Sequence, residues 1–543
     1  MYPNNNLWLE LKSPLEINGL ALGVNFPEIG LPHKIEQSDK DTYLVGYFTS
    51  FEDGFDEKNL LNGIKKSGLK RIVNSNSLFL LFLFDGQNQT LTVAVDQFLS
   101  FPCYFSFING KLIFSSAFGP IRNELRKTQK LKIDMDPVLS YLLLECPNTD
   151  HTMVNQIKVL PGGCKATFDL NSIKNYQIET QIEVDSFYKS IPIKKYSSLE
   201  SFSKDWLSLL MEVIERRVKQ IPSGFKVGCD VSSGFDCALV AYCLSQTTPP
   251  GSFTGYSNYS SVMGDENNIE VAKRFAKLHH FPLEEFDYTR HTKHETKLDN
   301  TWADDPLQPF VYVHHQPYIN FLSDRGIKIL FTGEFGDEAY DMKNMGLFSY
   351  FPVQSGYFNS ISSLKRHQRQ DLFTENYRNI FLDQQRFRQR GYFPLIVTEK
   401  SAACYMPIAE AYGNWGINRL HVFNDTRLLS LSTQAPLPKG AGSDQLKELL
   451  MPHYKSIMPE NYYATSNACE PFVYFFVNQK SFVDTVLNNS ALAEMGLINA
   501  EHIRKLVHEP QSEIYANKDH QRAVQIYELL KLDWYLQKND LGL

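Results

Sequence analysis

Short apolar runs separated by turn residues dominate the first third of the chain. Runs at residues 43–48, 78–84, 90–95, 103–108 and 111–115 are rich in β-branched and aromatic residues, which is typical of strands. Asn109-Gly110 separates the last two runs, and Asn-Gly between apolar runs is a strong signal of a two-residue hairpin. The pattern predicts a sandwich-like α+β domain at the N-terminus.

A different pattern begins near residue 197. Apolar residues keep helical spacing from Leu199 to Val213, and Ser197 with Glu200 predicts a capping box at the start of this helix. Beyond it, strands predicted at 227–231, 252–256 and from Ile327 alternate with helices predicted at 238–244 and 269–278. This alternation predicts an α/β domain with a parallel sheet. We therefore divide the chain into 1–190 and 191–543, and expect a closing helix at 524–537.

Composition narrows the class of protein. The 543 residues are 43% apolar and 21% charged, which is ordinary for a globular chain, and the formal net charge of −7 argues against nucleic-acid binding. Residues 1–6 lack the basic region followed by an apolar core that is typical of a secretion signal. The longest apolar run, 78–84, is too short to span a membrane. The eight cysteines form no C-x-x-C pair. We expect reduced thiols, no membrane insertion and a cytoplasmic location.

The stretch from Lys226 to Gln246 carries the first candidate site. An apolar strand is followed by Ser232-Ser233-Gly234 and then by an apolar-periodic helix. A helix that begins at the end of a strand directs N–H groups and a positive dipole at the turn, which favours phosphate. Asp236 adds a carboxylate suited to a metal ion in the first turn. A strand–turn–helix unit also occurs in α/β proteins without any ligand.

The loop Ser232-Ser233-Gly234-Phe235-Asp236-Cys237 resembles the pyrophosphate loop of the asparagine synthetase family, written S-G-G-x-D-S. Ser233 stands where the family has glycine, and Cys237 where it has serine. The resemblance implies a C-terminal domain of the pyrophosphate-loop type, which is adenine nucleotide alpha hydrolase-like. It also implies that ATP and Mg²⁺ are the cofactors and that residues 232–237 bind the nucleotide.

A second motif, T-G-E-F-G-D-E at residues 332–338, resembles the family's S-G-E-G-x-D-E. The resemblance implies that Asp236 and Asp337 share the Mg²⁺, and that Glu334 helps to deprotonate the attacking amine. Two carboxylates at the C-terminal ends of strands are also where open α/β sheets place ligands. Glu334 has a simpler alternative role, which is to accept hydrogen bonds from loop N–H groups.

Further along the chain, H-V-F-N-D-T-R-L-L from residue 421 resembles the family's P-F-L-D-x-R-L-V. Lys447 then begins a segment similar to the family's K-x-x-L-R, and we assign it a catalytic role beside Glu334. The family also has a lysine that contacts the acyl phosphate, and Cys469 occupies the corresponding place here. Because removing a cation aimed at developing charge is costly, another Lys or Arg must supply that charge, or the site is weak or inactive.

The N-terminal domain resembles the glutaminase half of the same family, which is an Ntn-hydrolase-like sandwich. The likeness rests on the segments around Asp85, Asp96 and Phe101-Pro102, and on Leu160-Pro161-Gly162-Gly163. The family's glutaminase uses a cysteine exposed by loss of Met1, but position 2 here is Tyr2. A phenol is a poor replacement nucleophile, so we expect a glutaminase fold without glutaminase activity.

The combined resemblance implies an ATP-dependent, AMP-forming amide ligase. It would adenylate a carboxylate of a peptide or small molecule and join it to an amine, in the manner of the lasso peptide cyclase and β-lactam synthetase branch. A partner maturation enzyme is then an expected partner. Free ammonia as the amine, or a pseudoenzyme that only binds nucleotide, are the alternatives. A pyrophosphate-loop enzyme acting on tRNA fits poorly, because the chain is acidic.

Overall fold

The structure is a computed structural model. It describes residues 8–12, 31–52, 55–142, 150–183, 190–259, 261, 266–292, 315–337, 339, 370–377, 406–437, 443–458, 470–509 and 520–539. Tyr2, Asp265, Glu338 and Cys469, on which parts of the sequence argument rest, lie outside these ranges.

Antiparallel strands and several helices form the described part of the N-terminal domain. The strands are β1 (Trp8–Lys12), β2 (His33–Asp39), β3 (Thr42–Ser50), β4 (Ser77–Asp85), β5 (Thr90–Val95), β6 (Tyr104–Ile108), β7 (Lys111–Ser115), β8 (Lys158–Val159), β9 (Cys164–Asp169) and β10 (Tyr176–Thr180). The helices are α1 (Leu60–Val73), α2 (Phe118–Arg126) and α3 (Met135–Tyr141). One sheet has the order β1-β7-β6-β8 and the other β10-β9-β5-β4-β3-β2.

All five strands predicted in this domain are confirmed. Asn109 and Gly110 both have positive φ (51° and 75°), and Ile108 pairs with Lys111 across them, as a two-residue hairpin requires. Strand β4 is buried on both faces: Phe82 packs in the core between the two sheets, whereas Phe79 packs in the core that the domain shares with the parallel sheet. Burial on both faces explains why the run 78–84 is continuously apolar.

The second half of the chain contains a parallel sheet. Its strands are β11 (Lys226–Asp230), β12 (Phe253–Tyr259), β13 (Leu283–Asp287), β14 (Ile327–Thr332) and β15 (Asn418–His421). Its helices are α4 (Leu199–Lys219), α5 (Phe235–Thr247), α6 (Glu266–Leu278), α7 (Tyr288–Thr292), α8 (His315–Asp324), α9 (Met406–Gly413), α10 (Thr426–Ser432) and α11 (Ser443–Leu450). The predicted helix at 199–213 is confirmed, but its N-cap is Ser198, not Ser197, because the Ser198 hydroxyl accepts from the Ser201 N–H.

The strand order is β13-β12-β11-β14-β15, and every pair is parallel. Apolar side chains of α4, α5 and α6 cover one face of this sheet, and those of α8 and α9 cover the other. The chain moves from β11 in one direction to β12 and β13, and later adds β14 and β15 on the other side. The sheet therefore has its topological switch point between β11 and β14, where open α/β sheets bind ligands.

The last helices return to the N-terminal domain. They are α12 (Glu470–Asn478), α13 (Lys480–Asn488), α14 (Ala491–Glu494), α15 (Ala500–His508) and α16 (His520–Asn539). Phe472, Phe475 and Tyr527 belong to the same buried cluster as Phe105 of the N-terminal sandwich. Helix α16 contains the predicted closing helix, 524–537. Within the ranges given above, no helix is both long enough and apolar enough to cross a membrane.

Candidate functional site

The turn between β11 and α5 is small and tightly bonded. Gly234 is the N-cap of α5, with φ −75° and ψ 140°, and its N–H donates to the Ser232 hydroxyl at 3.0 Å. Helix α5 has Asp236 in its first turn. Because the turn lies at the C-terminal end of β11, the helix N-terminus and its positive dipole face the switch point of the sheet.

Ser233 connects this turn to the next helix. Its side chain is fully buried, and its hydroxyl donates to Asn268 Oδ1 of α6 at 2.9 Å. Ser233 is not among the described residues with positive φ. The serine that replaces the glycine of the resembling motif therefore fits the turn without left-handed backbone strain.

Phe235 and Cys237 lie in the first turn of α5. Phe235 is fully buried, and its ring packs against that of Tyr454 with 5.9 Å between centroids. Burial raises the pKa of the Cys237 thiol to about 12, so this thiol stays neutral at physiological pH. A ligand at this turn would therefore meet the Phe235 backbone but not its ring.

Two glycines let the loop after β14 approach α5 closely. A Cβ on Gly333 would lie 2.5 Å from the Cys237 backbone nitrogen. A Cβ on Gly336 would lie 2.7 Å from both carboxylate oxygens of Asp236. Both distances are too short for real atoms, so only glycine at these positions lets the two loops meet.

Lys447 brings the two predicted metal ligands together. Its ammonium donates to Asp236 Oδ2 at 2.7 Å and also to Asp337 Oδ1. The Lys447 side chain is 3% exposed, so its charge is removed from water. Burial acts to lower its pKa, but the carboxylates of Asp236 and Asp337 outweigh burial and raise the pKa, so Lys447 is protonated.

The donor set suits Mg²⁺. One cation already contacts both carboxylates, so the two side chains are close enough to bind a single ion. Mg²⁺ in proteins is commonly held by one or two carboxylates together with phosphate oxygens of the substrate. Asp236 and Asp337 would hold the ion here.

Glu334 belongs to a second charge cluster. It accepts a hydrogen bond from Arg419 Nη2, and its Oε2 lies 3.2 Å from His421 Nδ1. Arg419 also lies 3.9 Å from Asp230 and 4.8 Å above the Tyr412 ring. Burial acts to lower the Arg419 pKa, but its acidic neighbours, Glu334 first, raise it, so the guanidinium is charged. The simpler alternative for Glu334 was a bond to loop N–H groups, but the structure shows an ion pair with Arg419.

Burial has a large effect on the protonation of the groups that surround Glu334 and Arg419. Burial raises the Asp230 pKa to about 6, although Arg419 and the Tyr318 hydroxyl, which donates to Asp230 at 2.7 Å, both oppose this shift. Burial and the Arg419 charge keep the His421 pKa well below its usual value, so His421 is neutral. It shares a hydrogen bond with the Thr332 hydroxyl at 2.8 Å.

Sequence reasoning does not single out Arg419, Asp230 or Asn268. A usable signal exists for Asp230, because a carboxylate that ends an apolar strand directly before a small-residue turn lies near the switch point. Strand β15 escapes prediction because it is only four residues long, so the sequence gives Arg419 no place in the sheet.

The cysteines of the N-terminal domain are inert where the structure describes them. Burial raises the pKa of Cys164 to about 12 and that of Cys103 further still. A thiol attacks as the thiolate, so neither is a candidate nucleophile. Cys146 lies outside the described ranges.

A comparison with known protein families gives a match within the N-terminal domain. Residues 47–178 match the family described as a glutamine amidotransferase domain. This segment runs from β3 to β10, so the N-terminal antiparallel domain is of the glutamine amidotransferase type and resembles the Ntn amidotransferases.

Among solved structures, the chain is similar to the glutamine phosphoribosylpyrophosphate (PRPP) amidotransferase from B. subtilis complexed with ADP and GMP. The identity is 9%, the TM-score is 0.19, and the match covers 47% of this chain and 48% of that chain. The similarity thus spans about half of each chain. No curated protein matches this one.

Proposed function

We propose that the protein is an ATP-dependent ligase that adenylates a carboxylate and couples it to an amine. The observation that carries this proposal is the contact of Lys447 with both Asp236 and Asp337. These three residues come from three separate segments, and each lies in a sequence motif of its own. Their meeting at the switch point of a parallel sheet supports a pyrophosphate-loop domain as the second half of the chain.

In this proposal, the turn after β11, the two carboxylates and Lys447 each have a role in binding ATP and releasing pyrophosphate. The turn at Ser232–Gly234 and the N-terminus of α5 bind the ATP phosphates through backbone N–H groups. Asp236 and Asp337 would hold Mg²⁺, which would neutralise charge on the departing pyrophosphate. The Lys447 ammonium lies beside both carboxylates, where it contributes positive charge toward the phosphates. The resembling family has a lysine that contacts the acyl phosphate, and this chain has Cys469 at the corresponding position. Lys447 is our candidate for the cation that replaces that lysine.

Glu334 is the proposed general base. An amine attacks only when neutral, and an alkylamine is largely protonated at neutral pH, so a nearby carboxylate is needed to accept its proton. Arg419 of β15 holds one oxygen of Glu334 and fixes its position just after β14, the strand next to β11 and its pyrophosphate-like turn. The amine belongs to the substrate in this proposal, so that a lactam or macrolactam is the product.

A nucleotide-binding pseudoenzyme is the second candidate. The ion pair between Glu334 and Arg419 favours it, because a buried ion pair gives Glu334 a structural role that requires no catalysis. The two candidates differ in catalysis but share ATP binding, so kinetics must separate them.

The test measures ATP–pyrophosphate exchange with a panel of amino dicarboxylic acids and short peptides. We expect exchange by the wild type and a loss of about a hundredfold in Lys447→Met, because a cation facing developing charge is removed. Lys328→Met is the matched control, since Lys328 is exposed on β14 and should leave exchange unchanged.

Glu334→Gln divides the reaction into its two steps. Glutamine can still accept from Arg419 but cannot take a proton, so exchange should persist while the amide product, followed by mass, falls by about a hundredfold or more. Equal loss of both steps would make Glu334 structural. No exchange with any acid, together with retained Mg²⁺-dependent ATP binding, would favour the pseudoenzyme.

A further inference from the structure

A small cavity lies between the two domains, beside the Glu334 cluster. Its volume is about 50 Å³. The N-terminal domain contributes the loop 98–102, including Leu99 and Phe101. The second half contributes residues of α9, of the turn after it, including Asn414, and of β15, including Arg419. A single water molecule needs roughly 10–15 Å³ of such space, so the cavity accommodates a group of a few heavy atoms.

The polar groups on its wall are incompletely bonded. Arg419 has a side chain that is 4% exposed and uses Nη2 for Glu334, but its Nε and Nη1 have no hydrogen-bond partner among the described residues. Asn414 Oδ1 is buried and likewise lacks a partner within the described ranges. The wall therefore offers two donors and one acceptor. Buried polar groups are normally bonded, and a buried charged donor without a partner is especially costly.

The surrounding charge decides which ligand fits. Glu334 and Asp230 already flank Arg419, and Glu410, which also lines the cavity, is buried. These acidic groups oppose a second anion at Arg419. A cation is also disfavoured, because it would lie directly against the Arg419 guanidinium. The carboxylate of Glu410 does not offset this repulsion, since its two oxygens already accept from the Tyr104 hydroxyl and the Phe118 N–H. An uncharged group with one acceptor and one donor satisfies both constraints.

We infer that this cavity binds an uncharged carboxamide or peptide unit. Its carbonyl oxygen accepts from the Arg419 N–H groups, and its N–H donates to Asn414 Oδ1. Leu420, Ile417 and Phe101 supply apolar walls around it. The further step, that the amide is part of the ligase substrate and lies next to Glu334, rests on the proposed function.

Binding is tested without turnover, by saturation-transfer NMR on the full chain with acetamide, acetate and methylammonium as probes. We expect saturable binding of acetamide, with acetate and methylammonium weaker by about tenfold or more. Asn414→Leu removes the acceptor at similar volume and should abolish the acetamide signal. Asn171→Leu is the matched control at an exposed turn position and should leave the signal unchanged.

Arg419→Lys is the second variant, since it keeps the charge beside Glu334 but presents fewer donors, and it should also weaken acetamide binding. Tighter binding of acetate or methylammonium would overturn the inference, and so would no binding of any probe. Retained acetamide binding in Asn414→Leu would overturn it as well. ATP is absent throughout, so failure of the ligase test leaves this result standing, and the reverse also holds.

Discussion

Gly336 sets the geometry of the candidate site at the scale of single residues. It lies so close to Asp236 that no side chain fits between them, and the next residue is Asp337. The glycine thereby allows two acidic residues from distant segments to face one cation. Without Lys447 or a metal ion, the two carboxylates would repel each other.

Substituting Gly336→Ala should separate the two loops. We expect a loss of roughly 1–3 kcal/mol in the free energy of unfolding, because the added methyl group overlaps a carboxylate that cannot move freely. ATP binding in the presence of Mg²⁺ should weaken in parallel. Thermal unfolding and titration calorimetry measure the two effects.

Gly63→Ala is the control for this change. Gly63 lies in α1, and an added methyl group there would meet no atom within 4 Å. Alanine should therefore stabilise the protein slightly, by about 0.5–1 kcal/mol. Equal effects of the two substitutions would mean that the contact between Gly336 and Asp236 does not matter.

At the scale of single residues, the sequence predicts several residues of the candidate site but not which side chains contact each other. Asp236, Asp337 and Lys447 are each predicted from a motif, and the structure brings them into contact. The pairing of Glu334 with Arg419 could not be predicted, because it depends on β15 lying next to β14. Strand neighbours so far apart along the chain leave no local pattern in the sequence.

At the scale of elements, the buried bond from Ser233 to Asn268 joins the pyrophosphate-like turn to α6. A serine in this turn would strain the backbone only if the turn required positive φ, and it does not. The Ser233 hydroxyl instead provides a fixed connection between two consecutive helices of the sheet. The sequence shows the substitution, but not the partner on the next helix.

Ser233→Ala should therefore destabilise the protein by about 1 kcal/mol, the usual net value of a buried hydrogen bond. Ser233→Gly should weaken ATP binding, because it removes the hydroxyl and adds flexibility without relieving any strain. A double-mutant cycle with Asn268→Ala measures the coupling. Tighter ATP binding by Ser233→Gly would show that the bond to Asn268 does not set the loop conformation.

Strand prediction succeeds where the pattern is local. The hairpin at Asn109-Gly110 and strands β5 and β7 agree with the predicted bounds, because turn chemistry and β-propensity act over a few residues. The predicted capping box at Ser197 is wrong by one residue, since two adjacent serines offer equivalent hydroxyls and only the backbone conformation decides between them.

At the scale of the whole molecule, the amidotransferase-type domain and the parallel sheet share a core. Phe335, with φ 68°, packs its ring against Phe98 of the N-terminal domain at 5.9 Å between centroids. A loop that carries two candidate site residues, Glu334 and Asp337, is thus supported from the other domain.

This domain should not hydrolyse glutamine. Cys103 and Cys164 are buried with raised pKa values, so neither provides a thiolate at neutral pH. Glutamate released from glutamine by the purified protein should not exceed that from a heat-denatured sample. Release that disappears on treatment with a thiol-alkylating reagent would contradict this expectation and identify a cysteine outside the described ranges.

The return of α12–α16 to the N-terminal core has a consequence for synthesis on the ribosome. At roughly 5–20 residues per second, the chain from Ile173 to Phe472 takes on the order of 15–60 s to emerge. During that interval, the surface later covered by Phe472, Phe475 and Tyr527 is exposed on the nascent domain. We therefore expect chaperones that bind apolar patches to associate with the early half of this protein until the last helices are made.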